Sequence, residues 1–229
     1  MKNRKTTHAR SAALIAGIVG ILLIAALIAV VFWANSPAGE AWFLKRFPPG
    51  VMKPVIYFYP QKTTAVRAEF ADPSGITVSY PGYGTGWDFI ASPGGKLICG
   101  GKQYPYLYYE MNAAVSFGER GFVVPKGETV TFLEEKLEYM GFDRDEATDF
   151  ITYWLPRLEK NGYNRIEFVW GDELEALMPL KITPAPDNIL RVYMIFSSCR
   201  GDLKLEPQQL PVLSRDGFAV LEWGGAELP

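Results

Sequence analysis

Three hydrophobic rhythms follow one another along the chain. The first is continuous: from Ala12 to Ala34 the sequence AALIAGIVGILLIAALIAVVFWA runs for 23 residues without a charge. At about 1.5 Å per residue it is long enough to cross a hydrocarbon core of about 30 Å. A cleaved signal peptide would carry an apolar stretch of about 7–15 residues ending in a small-x-small site. This run ends in Phe32 and Trp33, so the sequence predicts an uncleaved signal anchor.

The second rhythm has period two and is cut by turn residues. VIYFY, AVRAEF, ITVSY, WDFIA, KLIC and YPYLYYE follow one another between Lys53 and Glu110, separated by DPSG, PGYGTG, SPGG and GGK. Such short runs with proline and glycine breaks predict an antiparallel sheet or small sandwich. Val66, Ala68 and Phe70 alternate with Arg67 and Glu69, and Ile76, Val78 and Tyr80 alternate with Thr77 and Ser79, so those two strands are expected to have one wet face. VIYFY is apolar on both faces and is therefore expected at the centre of a sheet. Its tyrosines, Tyr57 and Tyr59, are read as a core wall with satisfied hydroxyls.

The third rhythm is helical. Val130, Leu133, Leu137 and Met140 form a stripe that stops at Gly141, with Thr131 and Glu134 as a capping box or Thr129 as the competing cap. Asp143 with Glu146 opens a second helix whose apolar face runs through Ala147, Phe150, Ile151, Trp154, Leu155 and Leu158. Pro156, inside that stripe, removes the bond to the carbonyl of Thr152 and predicts a kink or a fresh turn. The β-period then returns in YNRIEFVW, LKIT, ILRVYMIF and GFAVLEW, with a short helix DELEALM between the first two.

Strands, two helices, then strands predict an α+β fold: an N-terminal antiparallel β-layer, two amphipathic helices and a second β-layer, preceded by one transmembrane helix. The expected organisation is a cytoplasmic tail over 1–11, a span over 12–34, a juxtamembrane stalk over 35–52 and an extracytoplasmic domain over 53–229. That domain divides on paper into a β subdomain, 53–125, and an α+β subdomain, 126–229.

Charge sets the orientation. Lys2, Arg4, Lys5 and Arg10 precede the run with no acidic residue, which holds the N-terminus in the cytoplasm. Four of the 23 Lys and Arg residues and none of the 25 Asp and Glu residues lie there, so the remainder carries a formal net charge of −6. An acidic domain lacks the clustered cations that nucleic acid requires, which leaves the lipid bilayer, through 12–34, and an envelope glycan or protein as expected partners.

The motifs KPVIYFYP, TVSYPGYGTGW, YLYYE, GFVV before TVTFLEEKLEYMGF, DFITYWLPRLEKNGYN, LKITPAPD, EPQQL and GFAVLEWGG occur in this order between Lys53 and Gly225. Together they resemble a family of bacterial surface or membrane-attached proteins of uncharacterised activity, marked by a KPVIYLYP-like opening and a YWLP helix. The resemblance implies a location and no particular activity, cofactor or catalytic residue. Cys99 and Cys199 stand outside its pattern. Both lie in the outward part, where an oxidising compartment permits a disulfide between them or leaves two separate thiols.

The side-chain inventory excludes several chemistries. His8, the one histidine, is in the predicted tail, so the domain has no imidazole for a Ser-His-Asp or Cys-His arrangement and no His-bearing zinc site. PGYGTG has neither the lysine nor the following helix of a phosphate loop and reads as a hairpin turn. Ser197 and Ser198 have no lysine at a hydrolase spacing. No metal site or cofactor is predicted.

Carboxylates and aromatic rings remain. Glu222 shares a strand face with Phe218 and Val220, where an apolar setting favours a protonated acid, and with Glu110 it makes the carboxyl pair of a glycoside hydrolase the alternative function. Tyr104, Tyr106 and Tyr108 fall on one strand face, and Tyr80, Tyr83 and Trp87 surround the glycine turn. Rings with a polar tip suit sugars or an extended peptide. These six residues are the expected contact surface of a noncatalytic, membrane-anchored binding protein; a scaffold subunit of a membrane complex is the third reading.

Overall fold

The computed structural model describes residues 50–229, together with 23–34 and the single positions Gly20, Ser36, Ala38 and Gly39. Residues 23–34 are helical and expose Leu23, Ile24, Leu27, Ile28 and Phe32. Among the described residues no helix is long and apolar enough to cross a membrane. The first half of the expected span, the tail 1–11 and most of the 35–52 stalk lie outside the described residues.

In the unit Pro49–Pro229 the strands fall where the period-two runs predict them. They are β1 (Met52–Tyr59), β2 (Thr64–Phe70), β3 (Ile76–Tyr80), β4 (Trp87–Ala91) and β5 (Leu97–Cys99). The run YPYLYYE divides at Pro105, which cannot donate to a ladder, into β6 (Lys102–Tyr104) and β7 (Leu107–Met111). GFVV supplies β8 (Phe122–Pro125). After helices α1 (Thr129–Tyr139) and α2 (Arg144–Leu158) come β9 (Tyr163–Trp170), the short α3 (Asp172–Leu177), β10 (Leu180–Thr183), β11 (Asn188–Ser198) and β12 (Ala219–Glu227).

The fold is α+β with two sheets, but the strands do not divide between them in chain order. A seven-stranded sheet runs β3-β7-β1-β12-β11-β9-β8 and a five-stranded sheet runs β10-β2-β4-β5-β6. The first strand thus pairs with the last, and β2 pairs with β10. The expected N-terminal and C-terminal β-layers are replaced by two sheets that each draw on both halves. Within the seven-stranded sheet only β11 and β12 are parallel.

Parity sorts the core into two layers. Val55 and Tyr57 of β1, Val192, Met194 and Phe196 of β11, and Leu221 and Trp223 of β12 pack against Leu133, Leu137, Phe150, Trp154 and Leu158 of the two helices. Ile56, Phe58, Tyr193, Ile195 and Val220 face the other way, against Val66, Ala68, Phe70 and Phe89 of the five-stranded sheet. The seven-stranded sheet is therefore covered on both sides, as the two apolar faces of VIYFY require. At its edge β3 keeps Val78 and Tyr80 exposed, so the wet face expected of Thr77 and Ser79 alone is not what forms.

The helix ends follow local rules in part. Asp143 caps α2 through Asp145 N and Glu146 N while Glu146 Oε2 accepts from Asp143 N at 2.8 Å, the expected capping box. At the end of α1, Gly141 N donates to Glu138 O and Phe142 N to Leu137 O around a Gly141 φ of +87°, a Schellman stop. The start of α1 differs from expectation: Glu128 occupies the cap position with no side-chain cap bond, and Thr129 is buried. Pro156 does not restart the helix. It lies with Thr152 on the exposed face near the C-terminal end, and α2 runs unbroken to Leu158.

Gly225 lets the ring of Trp154 and the carbonyl of Met194 come close to β12: a Cβ there would stand 2.2 Å from Met194 O and 2.8 Å from Trp154 Cζ2. Gly225→Ala should lower the unfolding free energy by about 2 kcal/mol or more through overpacking. A Cβ on Gly82 would meet nothing within 4 Å, and Gly82→Ala should stay within about 0.5 kcal/mol of the unaltered chain. Urea titration of both variants measures the difference.

Candidate functional site

A cleft of about 570 Å³ opens between β1, the β4–β5 turn, the β6–β7 connection and the first turns of α2. Its aromatic wall is Tyr57 and Tyr59, whose rings are stacked at 6.4 Å and 4°, with Tyr106 edge-on to Tyr57 at 5.3 Å. The wall exists because β1 and β7 are neighbours, Val55 opposite Tyr108, so that alternate tyrosines of both strands line one face. Tyr104 continues it, and Gly95, at φ +76°, passes so close to Tyr59 that a Cβ would lie 2.7 Å from the ring.

The opposite wall is acidic. Asp143, Asp145, Glu146 and Asp149 line it from the first turns of α2. Tyr57 donates to Asp149 Oδ2 at 2.9 Å and Tyr59 to Glu146 Oε1 at 2.7 Å, so the two walls are joined by hydroxyl–carboxylate bonds. Glu146 is saturated: it also closes the capping box and accepts Arg215 on both oxygens, and Arg215 lies 5.1 Å over the Tyr59 ring. Asp145 and Asp149, one turn apart and exposed, retain acceptor oxygens. With Lys96 at the rim, the cleft offers stacking faces, carboxylate acceptors and a net negative field.

The expected contact surface is thereby redrawn. Tyr104 and Tyr106 line the cleft, and Tyr80, 63% exposed, stands edge-on to Tyr104 at 5.3 Å. Tyr108 bonds Glu110 Oε1 at 2.7 Å and carries Lys53 Nζ 5.1 Å over its ring. Tyr83 and Trp87 are not surface residues. They are 7% and 1% exposed; Phe70 N donates to the Tyr83 hydroxyl at 2.8 Å, and Trp87 Nε1 donates to Pro81 O at 2.9 Å, so both rings pin the glycine turn to the core. Tyr57 and Tyr59, assigned to a core wall, do have satisfied hydroxyls but also form the floor of the cleft.

Glu110 and Glu222 do not face one another. Ile56 is opposite both Leu107 and Glu222, so Leu107, Tyr109 and Glu222 share the face toward the five-stranded sheet, while Tyr108 and Glu110 turn to the helix side. Glu222 is fully buried and committed: Tyr193 donates to Oε1 at 2.6 Å, Tyr109 donates to the same oxygen, and Arg191 Nε donates to Oε2 at 2.5 Å. The glycosidase geometry needs two carboxyls across one cleft, and these two lie on opposite faces of one sheet. This buried cluster was missed in the sequence. Its signal was present, since Arg191 is the one charge of β11 and Glu222 stands between apolar neighbours in β12.

Cys99 and Cys199 are free thiols, not joined to each other. Cys99 ends β5 in the five-stranded sheet and Cys199 follows β11 in the seven-stranded one, and burial pushes both thiols up. Among the described residues no three His, Cys, Asp or Glu side chains are grouped to hold a metal ion.

Burial, reinforced by a neighbouring carboxylate, raises the hydroxyls of Tyr57, Tyr59, Tyr108, Tyr109 and Tyr193 above the ordinary 10.0. Because the folded values exceed the unfolded one, their contribution to stability is complete below pH 10 and is lost as pH rises beyond it. In an alkaline titration these tyrosines should ionise in one cooperative step that coincides with loss of near-ultraviolet circular dichroism; gradual ionisation in the folded protein would contradict the buried network. Comparison of the chain with protein-family models, with curated proteins and with solved structures finds no match.

Proposed function

We propose that the chain is a membrane-anchored binding protein whose extracytoplasmic domain takes an envelope glycan into the tyrosine–carboxylate cleft. The observation that carries this reading is the cleft's pairing of four tyrosine rings with two exposed aspartates that retain acceptor oxygens. A sugar presents C–H faces that pack on rings and hydroxyls that donate to carboxylates, so one wall holds the body of the ligand and the other fixes its orientation. Binding without turnover is favoured because the carboxyl pair proposed for hydrolysis is split between two faces of a sheet. The anchor rests on the uncharged run 12–34 and on the basic residues before it.

Two measurements test the two halves of this reading. Oligosaccharides released from the envelope of the source cell should bind the full-length chain, and Tyr106→Ala and Asp145→Asn should each weaken them about tenfold, or ~1.4 kcal/mol, without moving the thermal midpoint. No binding, or equal binding by both variants, would remove the glycan assignment. For the anchor, the full-length chain should stay in the membrane pellet after alkaline carbonate extraction. Release into the supernatant would overturn it.

A further inference from the structure

A second cavity, of about 490 Å³, has a different chemistry. Its walls are aliphatic and aromatic: Trp170 at the end of β9, Leu180 and Ile182 of β10, Ile189 of β11, and Pro211 and Val212 of the connection to β12. Two of them, Ile189 and Val212, are 45% and 61% exposed, so the apolar lining is open to solvent. Among the described residues two charged side chains line it, Glu175 and Arg191.

Arg191 is 7% exposed and its guanidinium is unevenly used. The inner nitrogen, Nε, is fixed on Glu222, which two tyrosines hold in turn. Nη1 donates to Met178 O at 2.7 Å and to Glu175 Oε2 at 2.5 Å. Nη2 is buried and finds no acceptor among the described residues. A guanidinium is a planar fork suited to a carboxylate that takes two nitrogens at once, and here Glu175 takes only one.

Glu175 is the replaceable member. Its side chain is 51% exposed, against 0% for Glu222, and it sits on the six-residue α3, which leaves Gly171 at φ +65°. Apart from Arg191 its carboxylate accepts only Leu180 N, at 3.2 Å. Moving it fully into water restores its solvation, at the cost of a half-exposed ion pair, and uncovers the outer side of the fork at the base of an apolar cavity.

We infer that this cavity binds an aliphatic monocarboxylate, which displaces Glu175 and engages Nη1 and Nη2 of Arg191 as a bidentate pair. The exchange is carboxylate for carboxylate, so the charge around Arg191 and Glu222 is unchanged. A phosphate dianion would add negative charge beside the buried Glu222, and a neutral alcohol of the same length would not bridge the fork. The hydrocarbon chain lies on Ile189 and Val212, removing exposed apolar surface from water. Glu175 is then a resident competitor that keeps the guanidinium paired when the ligand is absent.

The test uses the full-length chain with octanoate as probe and 1-octanol as the uncharged control, titrated calorimetrically in the same buffer and detergent. Octanoate should bind at least tenfold more tightly than octanol. Glu175→Ala removes the competitor and should tighten octanoate several-fold while leaving octanol unchanged; octanoate should also raise the thermal midpoint of this variant more than that of the unaltered chain. Val212→Asp, on the exposed part of the cavity wall, should weaken octanoate at least tenfold. Equal affinity for acid and alcohol, weaker octanoate binding by Glu175→Ala, or no octanoate binding would each overturn the assignment.

Discussion

Arg191 and Glu222 stand directly opposite each other on β11 and β12, the one parallel pair in the seven-stranded sheet. Both are buried, and both lie on the face turned to the five-stranded sheet. Side chains alternate along a strand, so a slip of one residue would carry Glu222 to the opposite face, among Phe150 and Trp154, and would strand Arg191 without its partner. An unpaired buried charge costs several kcal/mol. The ion pair thus disfavours that slip between β11 and β12. Tyr109 reaches in from β7 and Tyr193 from β11 to the same carboxylate, so the pair also fixes which face of β7 points inward.

The inward face of β7 determines its outward one. With Leu107 and Tyr109 inside, Tyr106 and Tyr108 must turn toward the helices, beside Tyr57 and Val55. The hydroxyls of Tyr57 and Tyr59 on the same face are too polar to be left against helix methyls, and α2 answers with Asp149 and Glu146. The same Glu146 caps the helix and binds Arg215 from the connection before β12. The cleft is therefore not an addition to the fold. It is the place where the tyrosine face of the sheet extends past the cover of the helix.

Local structure was readable in the residues because local rules produced it. The boundaries of β3, β4 and β9, the end of β1 at Tyr59, the stop at Gly141 and the Asp143–Glu146 box each depend on neighbours a few positions away. What the sequence did not disclose was pairing at long range. Nothing near β2 announces that β10 is its neighbour, and nothing near VIYFY announces β12. Tyr83 and Trp87 failed as surface residues for the same reason: a glycine turn normally faces water, but Phe70 and Tyr109 pack against these two rings and draw them inside. Glu110 and Glu222 looked equivalent until register assigned them opposite faces.

The adjacency of β1 and β12 carries a consequence for how the protein is made. Tyr59 lies opposite Ala219, about 160 positions later, so the central strand has no partner on that side until those later residues have left the ribosome. The entropy of closing so long a loop grows only slowly with its length, but the time to find the contact does not shorten. Synthesis exposes VIYFY early and completes its cover late. During that interval the strand edge that β12 will occupy is open to any other extended chain, a hazard that ends only when this nine-residue strand arrives.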